Sequence, residues 1–556
     1  MNLLGKATDK SFWQSIKNEP CLESILRKLK KEYGKMLEEG DLKCHKYREF
    51  KTFFTTGERK VYEKQYNLFR SRAEAAAILS LIYPENTEYL DDLMDTLYDI
   101  CDEYTWSFPA HQGQIQTNDN CHIDLGAAMT AAQLAEIHTI LKDRLDPLIN
   151  SRIIHEIGRR VLDPFLATEH YDWWELDHSN WAAVCIGGIA RSMMLIRPKG
   201  MTPEFEKRVL ASLDTYLSGF DDSGICFEGM GYWRYGFGHF VMCCDMLRKF
   251  TEGRIDYFKQ EKVKNIASFY QKIFLSGDCG VSFSDGGGAM RYPLYLLHYL
   301  KNEYPDDVLV YDKRYAHWDC MTYRSYTWYN DEIAQNPAPE NANFESFAPE
   351  AQWMIKRTVN YGFAAKGGCN QEPHNHNDVG SFIFAKEGRH IFTDPGGGLY
   401  TRQYFDPALR YNHLECSSRG HSVPMIGDTV QSFGKEFKAV DAKYENGTFS
   451  LDIAGAYNCP QLTSVKRSFT FFDDKIILSD TFKYLGNEPI KQRLVTRFEP
   501  EQISEREIKV DIGGVIYDPD VCTAQITMEK DSREASVFFI DFIFNDGVTS
   551  STLTIY

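Results

Sequence analysis

The hydrophobic period of this 556-residue chain changes once, near residue 340. Before the change, apolar residues recur at the spacing of an amphipathic helix, as in residues 23–29, 73–83 and 125–134. After it they alternate as in half-buried strands, as in residues 464–472, 475–480 and 524–528. A chain that switches period in this way folds as two layers of different kind. Ala and Gly along the helical runs permit close helix packing, which suits a bundle, a solenoid or a ring of helical hairpins equally. The regular turns of the second half predict an antiparallel sandwich. The expected architecture is α+β and multidomain: a helical domain over residues 1–335 and a β domain over 336–556, with the polar, Pro-bearing stretch 330–350 as linker.

Composition narrows the function classes. At 43% hydrophobic and 25% charged, the chain buries large cores. A net charge of −17 argues against a general nucleic-acid or anionic-membrane binder, but leaves room for a polyanion in a locally basic cleft. No apolar run is long enough for a membrane span, and residues 537–544 read as a buried strand. The start of the chain lacks a signal-like apolar region, and the 14 Cys include no CxxC pair. Both features lead to the expectation of a cytoplasmic protein with reduced thiols, or a secreted or periplasmic one if a leader precedes it.

Chemistry concentrates in His374-Asn375-His376-Asn377-Asp378-Val379-Gly380-Ser381-Phe382. If the following alternation begins early, His374 and His376 leave one strand on the same face. Further on stand Thr393-Asp394-Pro395-Gly396 and Gly420-His421-Ser422-Val423. A single strand His is ordinarily a packed residue. Three of the chain's 15 His together with Asp378 and Asp394 inside fifty residues point instead to a site, and His, His and Asp from separate strands suit a zinc-type ion. In the helical half, Asp177-His178-Ser179-Asn180-Trp181 opens a helix with Ser179 or Asn180 as cap, where the helix end favours an anion. Tyr232 and Tyr235, in Glu228-Gly229-Met230-Gly231-Tyr232-Trp233-Arg234-Tyr235-Gly236, are spaced for one helical face, with Glu228 and Arg234 near enough to perturb a phenol. Ser107 to Gln112, including His111, offers polar groups on a loop.

Taken together, H-N-H-N-D-x-G-S-F, T-D-P-G, G-H-S-V, D-H-S-N-W and E-G-x-G-Y-W-x-Y-G resemble the heparinase II/III-like polysaccharide lyases from about residue 70 to 480. The resemblance implies an incomplete (α/α) toroid followed by an antiparallel β-sandwich, cutting uronic-acid polysaccharides by β-elimination in the cleft between them. It also implies His374 as base or charge neutraliser and His376, Asp394 and His421 as ligands of one divalent ion, zinc first, with manganese or calcium as alternatives. Tyr232, or else Tyr235, falls on the toroid Tyr, and Asn180 with His178 faces the uronate carboxylate. Many relatives carry Asn where this chain has Asp177. His111, Gln112, Glu228, Arg234 and Arg410 are the expected substrate contacts.

Elimination needs this set. The C5 proton becomes acidic only when the neighbouring carboxylate is neutralised, a base must reach C5, and an acid must protonate the leaving oxygen. The expected substrate is a glycosaminoglycan chain or oligosaccharide, with alginate as the alternative; monomer or dimer is left open. Other classes remain in view: a hydrolase recruiting Glu228, Asp285 or Asp177, a metal-dependent hydrolase, or a carbohydrate-binding protein.

Overall fold

The computed structural model describes residues 2–39, 46–112, 122–290, 292–311, 316–317, 319–339 and 343–556, without the side chains of 292, 316 and 317. The chain forms two compact units. The first comprises Met1–Gly219, Trp233–Lys264 and Pro293–Asn336, and is helical. Its long helices include Lys60–Ile82, Leu125–Leu141, Asn180–Ile196, Pro203–Ser218 and Gly238–Phe250.

Small residues set the packing of these helices. A Cβ on Gly188 would lie 2.4 Å from the Ala128 carbonyl, so Asn180–Ile196 meets Leu125–Leu141 backbone to backbone. Capping fixes where each helix begins. Asp124 accepts from the Ala127 amide at 2.9 Å and Thr202 from the Phe205 amide at 3.3 Å, with Pro203 in the first turn. Glu136 is buried in mid-helix, and it is tolerated there because Arg191 donates to it at 2.8 Å and Arg324 at 2.6 and 3.0 Å. Among the described residues no helix is long and apolar enough to cross a membrane, and the described Cys are unpaired thiols.

The second unit comprises Phe220–Tyr232, Asn265–Tyr292 and Pro337–Tyr556. The last break, after Asn336, falls one residue from the boundary read in the sequence. Two earlier segments nevertheless group with the strands. They do so through direct contacts: Ser284 Oγ donates to the Phe227 carbonyl at 2.9 Å, and Gly362 packs so closely on Leu275 that a Cβ would meet its carbonyl at 2.5 Å.

Three antiparallel sheets dominate this unit. A five-stranded sheet has the order Arg389–Phe392, Phe382–Lys386, Gly362–Lys366, Trp353–Arg357, Phe344–Ala348. A four-stranded sheet runs Pro424–Ile426, Ile490–Thr496, Ser536–Phe544, Cys522–Lys530. An eight-stranded sheet is centred on Leu462–Phe471 and Ile476–Tyr484. The expected linker contributes helix Asp331–Gln335 and strand Phe344–Ala348. One apolar core joins the sheets, with the Phe363 and Phe469 rings 5.1 Å apart and Phe382 and Phe469 5.4 Å apart. Fully buried Arg467 pairs with Asp480 and donates to the Gly380 and Ser422 carbonyls, both at 2.7 Å. It thereby ties two chemistry-bearing loops to the eight-stranded sheet.

Candidate active site

His374 and His376 do not stand on a strand. The strand begins at Phe382, and the residues before it form a turn in which His374 has φ of 54°. This corrects the same-face reading. A non-glycine residue in the left-handed region is held there by its surroundings, and such outliers cluster at functional sites. Here the restraint is Arg410, whose Nη2 donates to the carbonyls of His374 at 3.3 Å and Asn375 at 3.1 Å.

The two imidazoles meet on one buried carboxylate, Asp285. His374 Nδ1 lies 2.8 Å from Oδ2 and His376 Nε2 3.0 Å from Oδ1. Arg410 Nη2 reaches both oxygens at 3.0 and 3.2 Å, and the Tyr404 hydroxyl also donates to Oδ1. Burial works to raise the Asp285 pKa, but hydrogen bonds from His374 and His376 and the Arg410 charge hold it well below the usual carboxylate range. Arg410 is thus committed to Asp285 and to the carbonyls of His374, Asn375 and Tyr404. These contacts position the loop.

Sequence reasoning missed Asp285 as the organising group, weighing it only as a hydrolase carboxylate. The available signal was its place in Ser284-Asp285-Gly286-Gly287-Gly288, an acid in a glycine-rich turn. Those glycines meet a second glycine run: a Cβ on Gly396 would lie 2.4 Å from the Gly286 carbonyl and one on Gly397 2.9 Å from that of Asp285.

Tyr232 belongs to this same unit. Its ring stacks on His374 with centroids 4.1 Å apart and planes 23° apart, and its hydroxyl is 2.9 Å from the Tyr400 hydroxyl. Burial, then Asp285, then Tyr232 itself raise the Tyr400 pKa far above the ordinary phenol value, and either hydroxyl of this pair can donate to the other. Tyr400 was absent from the sequence reading; it follows Asp394 by six residues in an otherwise apolar and glycine-rich stretch. Tyr235 lies elsewhere, in the helical unit, its hydroxyl 3.3 Å from Met129 Sδ and its ring edge-on to His239. A π-helical turn over Trp233–Phe237 breaks the regular spacing that put both phenols on one helical face.

The expected metal ligands converge. His376 Nδ1, Asp394 Oδ2 and His421 Nδ1 are buried atoms without a hydrogen-bond partner, and the three side chains bring ligand atoms within 4.8 Å of one another. His421 Nδ1 is 2.9 Å from Asp394 Oδ2 but not aligned to donate to it. Orphaned acceptors facing one point fit a divalent cation of zinc type. The outer nitrogens are already oriented: His376 Nε2 by Asp285 and His421 Nε2 by the Glu415 carbonyl at 2.8 Å. Burial lowers the His376 pKa, but Asp285 and Cys416 outweigh it and carry it up to about 10. A cation at Nδ1 would take the place of that second proton and leave Nε2–H on Asp285. A second group, Asp285, His376 and Cys416, also lies within ligand distance, but Arg410 and Tyr404 already occupy that carboxylate.

The remaining expected residues lie in the helical unit, apart from buried Glu228. Ser179 caps helix Asn180–Ile196, accepting from the Trp181 amide at 3.4 Å, so Asn180 is the first helical residue. Asn180 is buried against Gly236, where a Cβ would lie 2.9 Å from its own. His178 points to the end of helix Pro203–Ser218, with Nδ1 2.8 Å from Ser218 Oγ and 3.2 Å from the Thr215 carbonyl. His111 has both nitrogens engaged, by Asp124 at 2.7 Å and Arg59 at 3.1 Å. Gln112 donates to Thr105 Oγ1 at 3.2 Å. Both are held within the fold by these contacts. Arg234 faces Asp319 at 3.5 Å.

No protein-family profile and no curated protein matches the chain. Solved structures do. Heparinase III superposes with a TM-score of 0.61 at 14% identity, over 89% of this chain and 77% of its own. Heparan sulfate lyase from Pedobacter heparinus gives 0.57 at 15%, over 90% and 77%. Chondroitin AC lyase from Streptomyces coelicolor gives 0.54 at 10%, over 98% and 82%. This chain has the fold of those lyases. The expected toroid followed by a β-sandwich is borne out at that level.

Proposed function

We propose that the protein is a polysaccharide lyase that cleaves uronic-acid-containing chains by β-elimination, leaving a 4,5-unsaturated uronate. The observation that carries this reading is the Tyr232 hydroxyl, 2.9 Å from Tyr400 and stacked over an imidazole whose Nδ1 is fixed by Asp285. Asp285 holds the Nδ1–H tautomer of His374, which leaves Nε2 with a lone pair. Two proton-transfer groups then stand side by side on one wall. Tyr232, with its deprotonated form stabilised by the Tyr400 hydroxyl, or His374 through Nε2, takes the C5 proton; Tyr232 protonates the leaving oxygen. Asn180 and His178 are assigned to the uronate carboxylate by resemblance alone.

His376, Asp394 and His421 would hold a divalent ion, which would supply fixed positive charge. These three side chains are fully buried, which favours a role in orienting His376 and, through it, Asp285, over water activation at a substrate. The solved structures of like fold are named for heparan sulfate, chondroitin and xanthan, and this range supports a glycosaminoglycan as first choice and alginate as second. The test is a panel of heparan sulfate, chondroitin, hyaluronan and alginate, read by the ultraviolet absorbance of the new C4–C5 double bond. Absorbance with alginate alone would sink the glycosaminoglycan assignment. New reducing ends without absorbance would sink elimination itself.

A further inference from the structure

The polar wall of Tyr232, Tyr400 and His374 is bordered by large apolar side chains that the fold leaves open. Phe405 is 39% exposed, although its ring packs edge-to-face on Tyr400 at 4.8 Å, on Tyr404 at 5.5 Å and on His374 at 6.4 Å. Leu409, also 39% exposed, directly precedes the Arg410 that grips Asp285. Phe433 is 42% exposed and stacks at 4.9 Å on Tyr411, whose hydroxyl donates to Asn375 Oδ1 at 3.0 Å. A single exposed aromatic is unremarkable in a folded protein. Two that are tied by direct contacts to a reactive loop, one on each of two branches of the same hydrogen-bonded cluster, are a built feature.

Their chemistry has a natural complement. A pyranose ring presents hydroxyls around its rim and a patch of C–H bonds on its face, and that face packs on aromatic carbon while the rim stays in water. Binding sites pair such apolar surface with a few oriented polar groups, here Tyr232, Tyr400 and His374. Phe405 is the nearer platform, touching two of the three.

We propose that Phe405 is the stacking platform for the sugar adjoining the reacting uronate, with Phe433 supporting a more distant ring, so that the site takes oligosaccharides rather than single sugars. This rests on the polysaccharide reading above. Phe405 carries no group that titrates or reacts, so it contributes binding and not chemistry. Loss of the ring is therefore expected to raise KM and leave kcat in place, because an interaction made equally in ground and transition states changes binding alone.

The experiment separates this from the lyase reading by using affinity as well as turnover. Calorimetry with heparan sulfate and alginate tetrasaccharides compares the Tyr232→Phe protein with Tyr232→Phe carrying Phe405→Ala or Phe405→Trp. The expected result, for whichever tetrasaccharide binds, is about tenfold weaker affinity with Ala, near-parent affinity with Trp, and unchanged thermal midpoints. Where the wild type turns over, Phe405→Ala raises KM by a similar factor with kcat within twofold. Equal affinities for parent and Ala variant, no binding of either tetrasaccharide, or a fall in kcat with KM unchanged would overturn the platform. Failure of the absorbance assay alone, with the affinity loss intact, would count against β-elimination and not against Phe405.

Discussion

Replacing Asp285 by Asn changes one atom and removes the charge on which four donors converge. His374 Nδ1 at 2.8 Å, His376 Nε2 at 3.0 Å, Arg410 Nη2 at 3.0 Å and the Tyr404 hydroxyl all point at this carboxylate. An amide offers a single acceptor oxygen, and its NH2 presents hydrogens to at least one of these donors. The Arg410 guanidinium, its side chain only 10% exposed, then loses its counterion. Leaving a buried charge without its partner costs about 3–5 kcal/mol, and that loss belongs to the β unit. The Nδ1–H tautomer of His374 is also no longer enforced, and losses of tautomer control of this kind lower kcat on the order of 10³- to 10⁴-fold. The folded-state pKa of Asp285 is depressed, so its contribution is present above the unfolded carboxylate value of about 3.9 and disappears as pH falls through the folded value. Urea unfolding at neutral pH and at pH 3, with turnover on the best polymer of the panel, tests all of this. Asp285→Asn is expected to be the less stable protein at neutral pH and to show a shallower acid loss than wild type. A destabilisation below about 1 kcal/mol with kcat within tenfold of wild type would refute the hub argument.

Further outcomes follow from the same geometry. Tyr232→Phe is expected to abolish turnover with little change in unfolding midpoint, and Tyr235→Phe, whose hydroxyl donates to Met129 Sδ at 3.3 Å, to stay active; activity in both would sink the proton-transfer assignment. Asn180→Ala, if its amide faces the uronate carboxylate, costs about 2.7–4 kcal/mol of transition-state stabilisation, read as kcat/KM. Elemental analysis is expected to find one divalent ion per chain, lost in Asp394→Ala and His421→Ala; a metal-free preparation that keeps full activity and thermal midpoint would reject the site.

Much of the plan was legible because periodicity is local. Alternation in residues 464–472 and 524–528 is written into strands Leu462–Phe471 and Cys522–Lys530. The convergence of His376, Asp394 and His421 was legible because residue type alone limits which side chains can hold a zinc-type ion, and all three lie in the β unit. What escaped was whatever depends on segments distant in sequence. Asp285 lies 89 residues from His374 in the chain, and nothing in its own turn announces which loop it will meet. The assignment of residues 220–232 and 265–292 to the β unit escaped for the same reason, since close glycine contacts such as Gly396 on Gly286 exist only in three dimensions. Tyr232 and Tyr235 were inseparable in sequence because a π-helical turn changes the angle between them without changing their spacing.

The expected metal site and the reactive wall are joined by one imidazole. His376 turns Nδ1 toward Asp394 and His421 and Nε2 toward Asp285, and Asp285 in turn orients His374 beneath Tyr232. The two neighbouring His therefore divide their work by burial: His376, with no exposed side-chain surface, has only fixed partners, whereas His374, 21% exposed, keeps one edge toward solvent. A divalent ion on His376 would therefore act on His374 only through two hydrogen bonds. Exchange of one divalent ion for another of similar geometry is then expected to alter stability and the orientation of Asp285 more than turnover, because the groups proposed to exchange protons, Tyr232 and His374, are held by the Tyr400 hydroxyl, the Asp285 carboxylate and their mutual ring contact.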